Sequence, residues 1–185
     1  MKPPDDRKFK ELILFIAERS EGDRPFGATK LNKLLFLADF CAFLSLGEAI
    51  TWHRYQRLPQ GPAPKALLPI LEQMKAAGDI EFSSRDYHGK KQKRVVALRE
   101  ADSSVFSGPE IAIVTDIIEE NWGRSATRMS ELSHDFIGWQ LAKPNEEIPY
   151  HVALLNLRKA TDQELAEGLE FESLARECLG DTQRP

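Results

Sequence analysis

Residues 29–46, TKLNKLLFLADFCAFLSL, form a long and mostly apolar stretch that constrains the fold more than any other segment. Leucines and alanines recur in it at helical spacing, and phenylalanines fill much of the remaining circumference. Four polar residues interrupt the stretch: Lys30, Asn32, Lys33 and Asp39. They make it too polar to cross a bilayer, which takes roughly 20 mostly apolar residues. We therefore predict a central helix that other elements cover, with Thr29 as its N-cap and Gly47 as its end.

The remaining elements are predicted from apolar periodicity, capping residues and turn residues. Helices are expected at 6–19, 65–77, 109–121, 128–134 and 163–179, with Pro62 and Pro64 opening the second of them. Residues 50–58 are expected to be irregular or extended, and residues 134–150 irregular. The only sheet expected is an antiparallel hairpin of strands at 80–82 and 95–98. The predicted fold class is α+β, mainly α: a compact helical domain around one buried helix, with a winged-helix-like hairpin.

Bulk composition is that of an ordinary globular protein. The chain has 185 residues, of which 42% are hydrophobic and 29% charged, and this suits one domain or one domain with an appendage. A net charge of −4 excludes a strongly basic nucleic-acid carrier. The start of the chain, MKPPDDRKF, lacks the apolar stretch of a signal peptide, so a bacterial cytoplasmic location is expected.

The predicted hairpin carries a cluster of positive charge. Five cations lie in or beside its loop: Arg85, Lys90, Lys91, Lys93 and Arg94. A basic tip on a winged-helix-like hairpin suits binding to nucleic-acid phosphates, while a solvated surface loop explains the same residues without any ligand.

Sequence patterns of catalysis are missing. The chain contains no GxxxxGK[ST], GxGxxG or GxSxG motif, and its four histidines form no HxH or HxxxH pair. His134 and Asp135 form an HD dipeptide, but a metal site of that kind needs further ligands from other helices. We therefore expect no catalytic residue, no cofactor and no metal.

Several short motifs, in order, are more specific than any single one. They are Lys30-Leu31, Lys33-Leu34-Leu35-Phe36, Ala38-Asp39, Tyr55, Gly61-Pro62, Leu132-Ser133-His134 and Trp139. Together they resemble the Panacea domain, the SocA-like antitoxin domain, over roughly residues 8–141. The chain departs from that pattern at Phe36, where tyrosine is common, and at Ala63, where a small β-branched residue is usual. It also lacks a threonine beside His134.

The resemblance and a candidate boundary near Ala160 predict a domain at 6–160. Residues 161–185, predicted from their own pattern as an acidic helix and tail, have no counterpart in the family. The resemblance implies a non-enzymatic antitoxin, or a phage-associated relative, that neutralises a toxin by direct binding and in one branch delivers it to a protease. A DNA-binding transcriptional regulator is the alternative, and an enzyme is a distant third. Neither membrane association nor strong nucleic-acid binding is expected, and homodimerisation is left open.

Six residues are candidates for contact with a protein partner: Lys30, Lys33, Trp52, Tyr55, His134 and Trp139. Each also has a structural interpretation. The lysines form the polar stripe of the central helix and can extend to solvent. The aromatic residues and His134 can pack within the domain, whereas exposed aromatic residues on an extended edge would suit an interface hot spot.

Overall fold

The computed structural model describes residues 2–87 and 89–155. The chain divides into two units, Met1–Leu154 and Leu155–Pro185. The predicted helix at 163–179, and with it the proposed appendage at 161–185, lies outside the described residues. The first unit is α+β and mainly helical, as predicted. Its helices are α1 (Asp6–Arg19), α2 (Ala28–Leu46), α3 (Leu67–Ala77), α4 (Gly108–Glu120), α5 (Ala126–His134) and α6 (Ile137–Leu141).

The central helix α2 is buried as predicted. The side chains expected in the core, Leu34, Leu35, Ala38 and Phe40, are all at most 3% exposed. The helix ends at Gly47, whose φ of 76° gives the predicted left-handed cap. The predicted N-cap is wrong, because α2 begins at Ala28 and Gly27 takes the cap position without a side-chain hydrogen bond. Thr29 therefore already lies inside the first turn.

Side-chain caps hold the starts of three other helices. Asp5 accepts a hydrogen bond from the backbone N–H of Lys8 at the start of α1. Ser107 and Glu110 form a reciprocal capping box on α4, and Ser125 caps α5. These caps explain why the starts of α1, α4 and α5 follow the sequence pattern closely.

The described residues form two antiparallel sheets, so the prediction of a single sheet is wrong. Strands β1 (Tyr55–Leu58), β2 (Gly61–Pro64) and β5 (Glu147–Ile148) form one sheet in the order β2-β1-β5. Strands β3 (Ile80–Tyr87) and β4 (Lys90–Ala97) form the predicted hairpin, paired from Ile80↔Ala97 to Tyr87↔Lys90. The hairpin is longer than expected, and its basic residues lie on the strands rather than in a loop.

The proline-rich segment was predicted wrongly. Pro62 and Pro64 lie in β2 instead of opening a helix, and α3 begins only at Leu67. Strand β2 is at the edge of its sheet, where a residue without a backbone N–H is tolerated. The segment 134–150 is also more ordered than predicted, since it contains α6 and β5.

Helix α2 lies between two hydrophobic clusters. Its leucines pack with α1, α3 and α4 in the larger cluster, in which Phe9, Leu12, Ile13 and Ile16 of α1 are fully buried. Phe36 and Phe40 pack into a second, mainly aromatic cluster with Tyr55 and Tyr150. Because both sides of α2 are covered, its sequence is apolar around almost the whole circumference.

Candidate functional site

Three charged residues of α2 are buried rather than solvated. Lys30, Lys33 and Asp39 are each at most 2% exposed, so the expectation that the two lysines reach solvent is wrong. A charged group is buried at a large free-energy cost unless other groups compensate it. The partners of each residue therefore indicate its role.

Lys30 has a complete set of internal partners. Its Nζ lies 2.6 Å from Oδ2 of the buried Asp23 and donates hydrogen bonds to the carbonyls of Asn121 and Arg124. The lysine thus joins α2 to the loop before it and to the end of α4. This geometry gives Lys30 a structural role and leaves it unavailable to a partner.

Lys33 is compensated differently. Its Nζ donates one hydrogen bond, of 3.0 Å, to the carbonyl of Pro62. Within the part of the chain that the structure describes, no carboxylate forms an ion pair with it. Burial lowers the pKa of the Lys33 amine from 10.5 to about 8. The group is therefore a buried cation without a counterion among those residues.

Gly61 makes room for Lys33. A Cβ at position 61 would lie 2.6 Å from Nζ of Lys33 and 2.1 Å from Oγ of Ser133. The φ of Gly61 is +101°, a conformation that residues with a side chain rarely adopt. The glycine of the Gly-Pro motif thus allows α2, β2 and α5 to approach each other closely.

Asp39 organises a buried network of hydroxyl groups. It accepts hydrogen bonds from the backbone N–H and the hydroxyl of Thr51, at 2.7 and 2.6 Å, and from the hydroxyl of Tyr55, at 2.8 Å. Burial raises the pKa of Asp39 despite these donors, and burial also raises the pKa of Tyr55 well above 10. Tyr55 is fully buried. The expectation that it is presented at an exposed edge is therefore wrong.

The neighbours of Tyr55 differ in exposure. His53 is buried and its ring stacks on Phe9 with centroids 4.0 Å apart, and burial lowers its pKa. Trp52 is half-buried, has a φ of 57°, and packs edge-on against Tyr150 at 5.3 Å. Of the two aromatic candidates on this segment, Tyr55 and Trp52, it is Trp52 whose side chain reaches the surface.

His134 and Trp139 pack against each other at the junction of α5 and α6. Their rings stack with centroids 4.0 Å apart, and Trp139 donates from Nε1 to the carbonyl of Leu58. The guanidinium of Arg57 lies 4.5 Å from the centroid of the Trp139 ring. The contacts of Trp139 with Leu58 and Arg57 tie α6 to β1. Both His134 and Trp139 are half-buried, so each keeps a partly exposed edge.

The five hairpin cations do not act as one group. Arg94 is buried and donates to the carbonyls of Ser20, Glu21 and Asp23, and Arg85 donates to those of Asp23 and Arg24. The two arginines therefore bind the loop between α1 and α2 rather than extending from a tip.

The hairpin lysines differ from the arginines. Lys91 and Lys93 are exposed, whereas the side chain of Lys90 lies outside the described part. The positive charge on the surface of β4 therefore comes from Lys91 and Lys93 among the described side chains.

A cleft beside the N-terminal end of α2 contains lysines from two groups that the sequence predicts, the candidates for partner contact and the hairpin cations. It consists of two depressions, of about 760 and 220 Å³, which share Thr29 and Gln60. Lys91 and Lys93 line the larger depression, and Lys33 lines the smaller one. None of the described lining residues is acidic. We call these two depressions the basic cleft.

The start of α5 adds to the positive potential of the basic cleft. Ser125, Ala126 and Thr127 line the larger depression at the N-terminal end of that helix. The unpaired N–H groups of a helix start favour negative charge nearby. The arrangement suits an acidic ligand, although the whole chain carries a charge of −4.

Sequence reasoning missed Asp23, the contact of Gly61 with Ser133, and the cleft itself. One signal was available: lysines within a helix that is apolar on all sides must be buried and need partners. Asp23 lies only seven positions before Lys30, but the carbonyl partners of the two lysines lie 29 to 94 positions away, and no local pattern contains such contacts.

Two other kinds of site are absent among the described residues. No group of three or more His, Cys, Asp or Glu side chains there is arranged to hold a metal ion. Nor does any helix in that part have the length and apolar character to cross a membrane.

Comparison with known proteins places the chain in a family. Neither a curated protein nor a solved structure shows a significant match to it. The family model described as "Antitoxin SocA-like, Panacea domain" matches residues 31–140. That match spans most of α2, strands β1 to β4, helices α3 to α5 and most of α6, and it includes Lys33, Tyr55, Gly61 and Trp139. More than half of the chain is matched, and the protein belongs to the SocA-like antitoxin family of Panacea-domain proteins.

Proposed function

We propose that this protein is an antitoxin that neutralises a partner toxin by direct, stoichiometric binding. The observation that carries the proposal is the match of the antitoxin family model to residues 31–140. The protein is not expected to act as an enzyme. A second proposed role is that of an adaptor that delivers the toxin to a protease. The bacterial cytoplasm is the proposed location, with 6–160 as the antitoxin domain and 161–185 as an appendage.

The chemistry of the described polar groups supports a binding role. Two buried groups that could serve in acid–base chemistry are used to hold the fold: Asp39 accepts hydrogen bonds from Thr51 and Tyr55, and Lys30 pairs with Asp23. The hydroxyl of Ser133 donates to the carbonyl of Ser130, within its own helix. These contacts stabilise the fold that presents the surface, and a preorganised surface binds with a small loss of conformational entropy.

The basic cleft is the surface we propose for the toxin. It combines exposed lysines with a helix start and with a buried amine that has no counterion among the described residues, which together favour an acidic partner surface. Trp52 and Trp139 do not line the cleft, but they are half-buried, planar side chains of the type that anchors interfaces.

DNA binding is the weaker candidate. The proposal of a basic hairpin tip relied on five cations, and two of them, Arg85 and Arg94, bind backbone carbonyls of the protein itself. Fewer free cations reduce the number of phosphates that the hairpin can neutralise.

The product of the neighbouring reading frame provides the test. It should be toxic when expressed alone, growth should return when this protein is co-expressed, and an affinity tag on one protein should recover the other. A matched pair of variants locates the interface: Lys91→Ala with Lys93→Ala should weaken rescue, and Lys143→Ala, an exposed lysine outside the cleft, should not. Growth rescue without any recovered complex would reject direct binding.

A further inference from the structure

Two lysines one turn apart on α2 have opposite electrostatic surroundings. Lys30 has a carboxylate 2.6 Å away, in Asp23, and Lys33 has none that forms an ion pair within the described residues. Both side chains are at most 2% exposed. The free-energy cost of burying the charge of Lys33 is therefore only partly offset, by one carbonyl hydrogen bond.

The space beside Lys33 is accessible from the surface. The smaller depression of the basic cleft is lined by Lys33 and by the turn that joins β1 to β2, including Pro59 and Gln60. Leu58 and Ala63 provide apolar walls. This depression, with a volume of about 220 Å³, has room for a single side chain.

From this geometry we infer that the smaller depression is a binding pocket for one carboxylate side chain, Asp or Glu, of the protein partner, and that Lys33 is its anion-binding group. The inference rests on the proposed function, since it assumes a protein partner. An incoming carboxylate would supply the missing counterion, and a charge-assisted hydrogen bond in a desolvated site is stronger than one at the surface. Lys91 and Lys93, in the larger depression, would attract the acidic surface around that residue.

Other surroundings of the pocket are consistent with an acidic ligand. The start of α5 lies along the adjoining depression, and no described lining residue of either depression is acidic. The choice of a carboxylate over a nucleic-acid phosphate follows from the apolar walls and small volume of the pocket.

The first experiment needs no partner. Acetate is the probe, titrated at constant ionic strength against chloride, while NMR of labelled lysine side chains measures the pKa of each amine. Acetate should raise the pKa of Lys33, from about 8, by about one unit or more, because a neighbouring anion favours the charged form. Lys143 is the control and should not respond. An unchanged Lys33 pKa overturns the inference, and a rise with phosphate but not with acetate overturns the choice of carboxylate.

The second experiment uses the neighbouring gene product. Lys33→Met keeps the length of the side chain and removes its charge, and it should weaken the complex about 30-fold or more, as loss of one member of a buried charge pair does. Lys143→Met should leave the affinity unchanged. Each acidic residue of the partner is then changed to its amide. One of these changes should weaken the wild-type complex and have no further effect on the Lys33→Met complex.

Failure of this inference and failure of the proposed function give different results. If Lys33→Met binds as tightly as the wild type while growth rescue persists, the carboxylate pocket is rejected and the antitoxin role stands. If the wild type neither binds nor rescues, the proposed function is rejected, and the acetate titration alone decides on the pocket. Circular dichroism of Lys33→Met confirms that a loss of affinity is not a loss of folding.

Discussion

The hydroxyl of Tyr55 donates a 2.8 Å hydrogen bond to the carboxylate of Asp39, across the space between β1 and α2. The same hydroxyl lies 2.9 Å from the carbonyl oxygen of Leu35. Tyr55 is therefore a side chain of the aromatic core, with its polar end fixed by the central helix. This position explains why a tyrosine on an apparently irregular segment is important for the fold.

Tyr55→Phe should lower the free energy of unfolding by about 1–3 kcal/mol, because the fully buried Oδ2 of Asp39 loses one of its two donors and keeps the Thr51 hydroxyl. Urea unfolding followed by circular dichroism measures the change. Tyr55→Ala should cost more, about 3–5 kcal/mol, since it also opens a cavity. A Tyr55→Ala variant that is as stable as the wild type would contradict the buried position and restore Tyr55 as a surface anchor.

Gly61→Ala should destabilise the protein by about 2–5 kcal/mol, since the new Cβ would collide with Ser133 and the φ is unfavourable. Gly47→Ala is the control. Its φ of +76° carries strain, but a Cβ there meets nothing within 4 Å, so its cost should be only about 1–2 kcal/mol.

The double variant Gly61→Ala, Ser133→Ala separates collision from strain. Removal of the Ser133 hydroxyl should restore part of the stability that Gly61→Ala loses. Thermal melting of the four proteins provides the comparison. If the effects of the two substitutions simply add, the close approach of α5 to β2 is not the reason for the glycine.

Stability should depend on pH through Lys33. Its pKa in the folded protein is about 8 and its ordinary value is 10.5, so between these values the unfolded chain binds the extra proton. Stability therefore rises with pH in this window, and the cost of burying the charge is fully present below pH 8. The groups around the amine, the Pro62 carbonyl and the Ser133 hydroxyl, do not titrate in this range.

The comparison with Lys33→Met isolates this contribution. The wild type should gain about 2 kcal/mol relative to the variant between pH 8 and pH 10, by the relation of about 1.4 kcal/mol per pH unit. Urea unfolding at the two pH values measures the gain. A constant difference between the two proteins would show that the Lys33 pKa is not lowered.

The hairpin cations should separate into two classes. Arg94→Ala should lower the free energy of unfolding by about 2–4 kcal/mol, because three carbonyls lose a buried donor. Lys91→Ala with Lys93→Ala should change stability by about 0.5 kcal/mol or less, as exposed substitutions usually do. If Arg94→Ala and the double lysine variant lose the same free energy of unfolding, the inward direction of Arg94 is contradicted.

DNA binding should be weak and non-specific at about 150 mM salt. Because Lys91 and Lys93 are the described hairpin cations that do not bind backbone carbonyls, the log–log slope of affinity against salt should be small, at about −0.9 per neutralised phosphate. Fluorescence anisotropy with duplex DNA measures both quantities. A sequence-specific complex of nanomolar affinity at that salt concentration would make DNA regulation the better proposal.

Local patterns were sufficient for α1, for α4 and for the end of α2. The apolar face and cap of α1, the Ser-Gly-Pro-Glu start of α4 and the end of α2 at Gly47 are each encoded within a few residues. The central position of α2 was also predictable, since a helix that is apolar on all sides needs cover on all sides.

Tertiary contacts determine the features that local sequence patterns could not predict. Pro62 and Pro64 suit a helix start locally, but pairing of β2 with β1 places them on a sheet edge. Arg85 and Arg94 look like a solvated loop in the sequence, and the carbonyls that they bind lie more than 60 residues away. The burial of Lys33 and Tyr55 likewise depends on elements that are distant in sequence.

In the proposed function, one molecule of this protein neutralises one molecule of toxin. The most direct measurement is a titration of toxin activity with increasing amounts of the purified protein at a toxin concentration well above the dissociation constant. We predict that protection grows in proportion to the molar ratio and saturates near one equivalent, as mass action requires for tight stoichiometric binding. Full protection at about one-tenth of an equivalent would show turnover instead and would contradict the account.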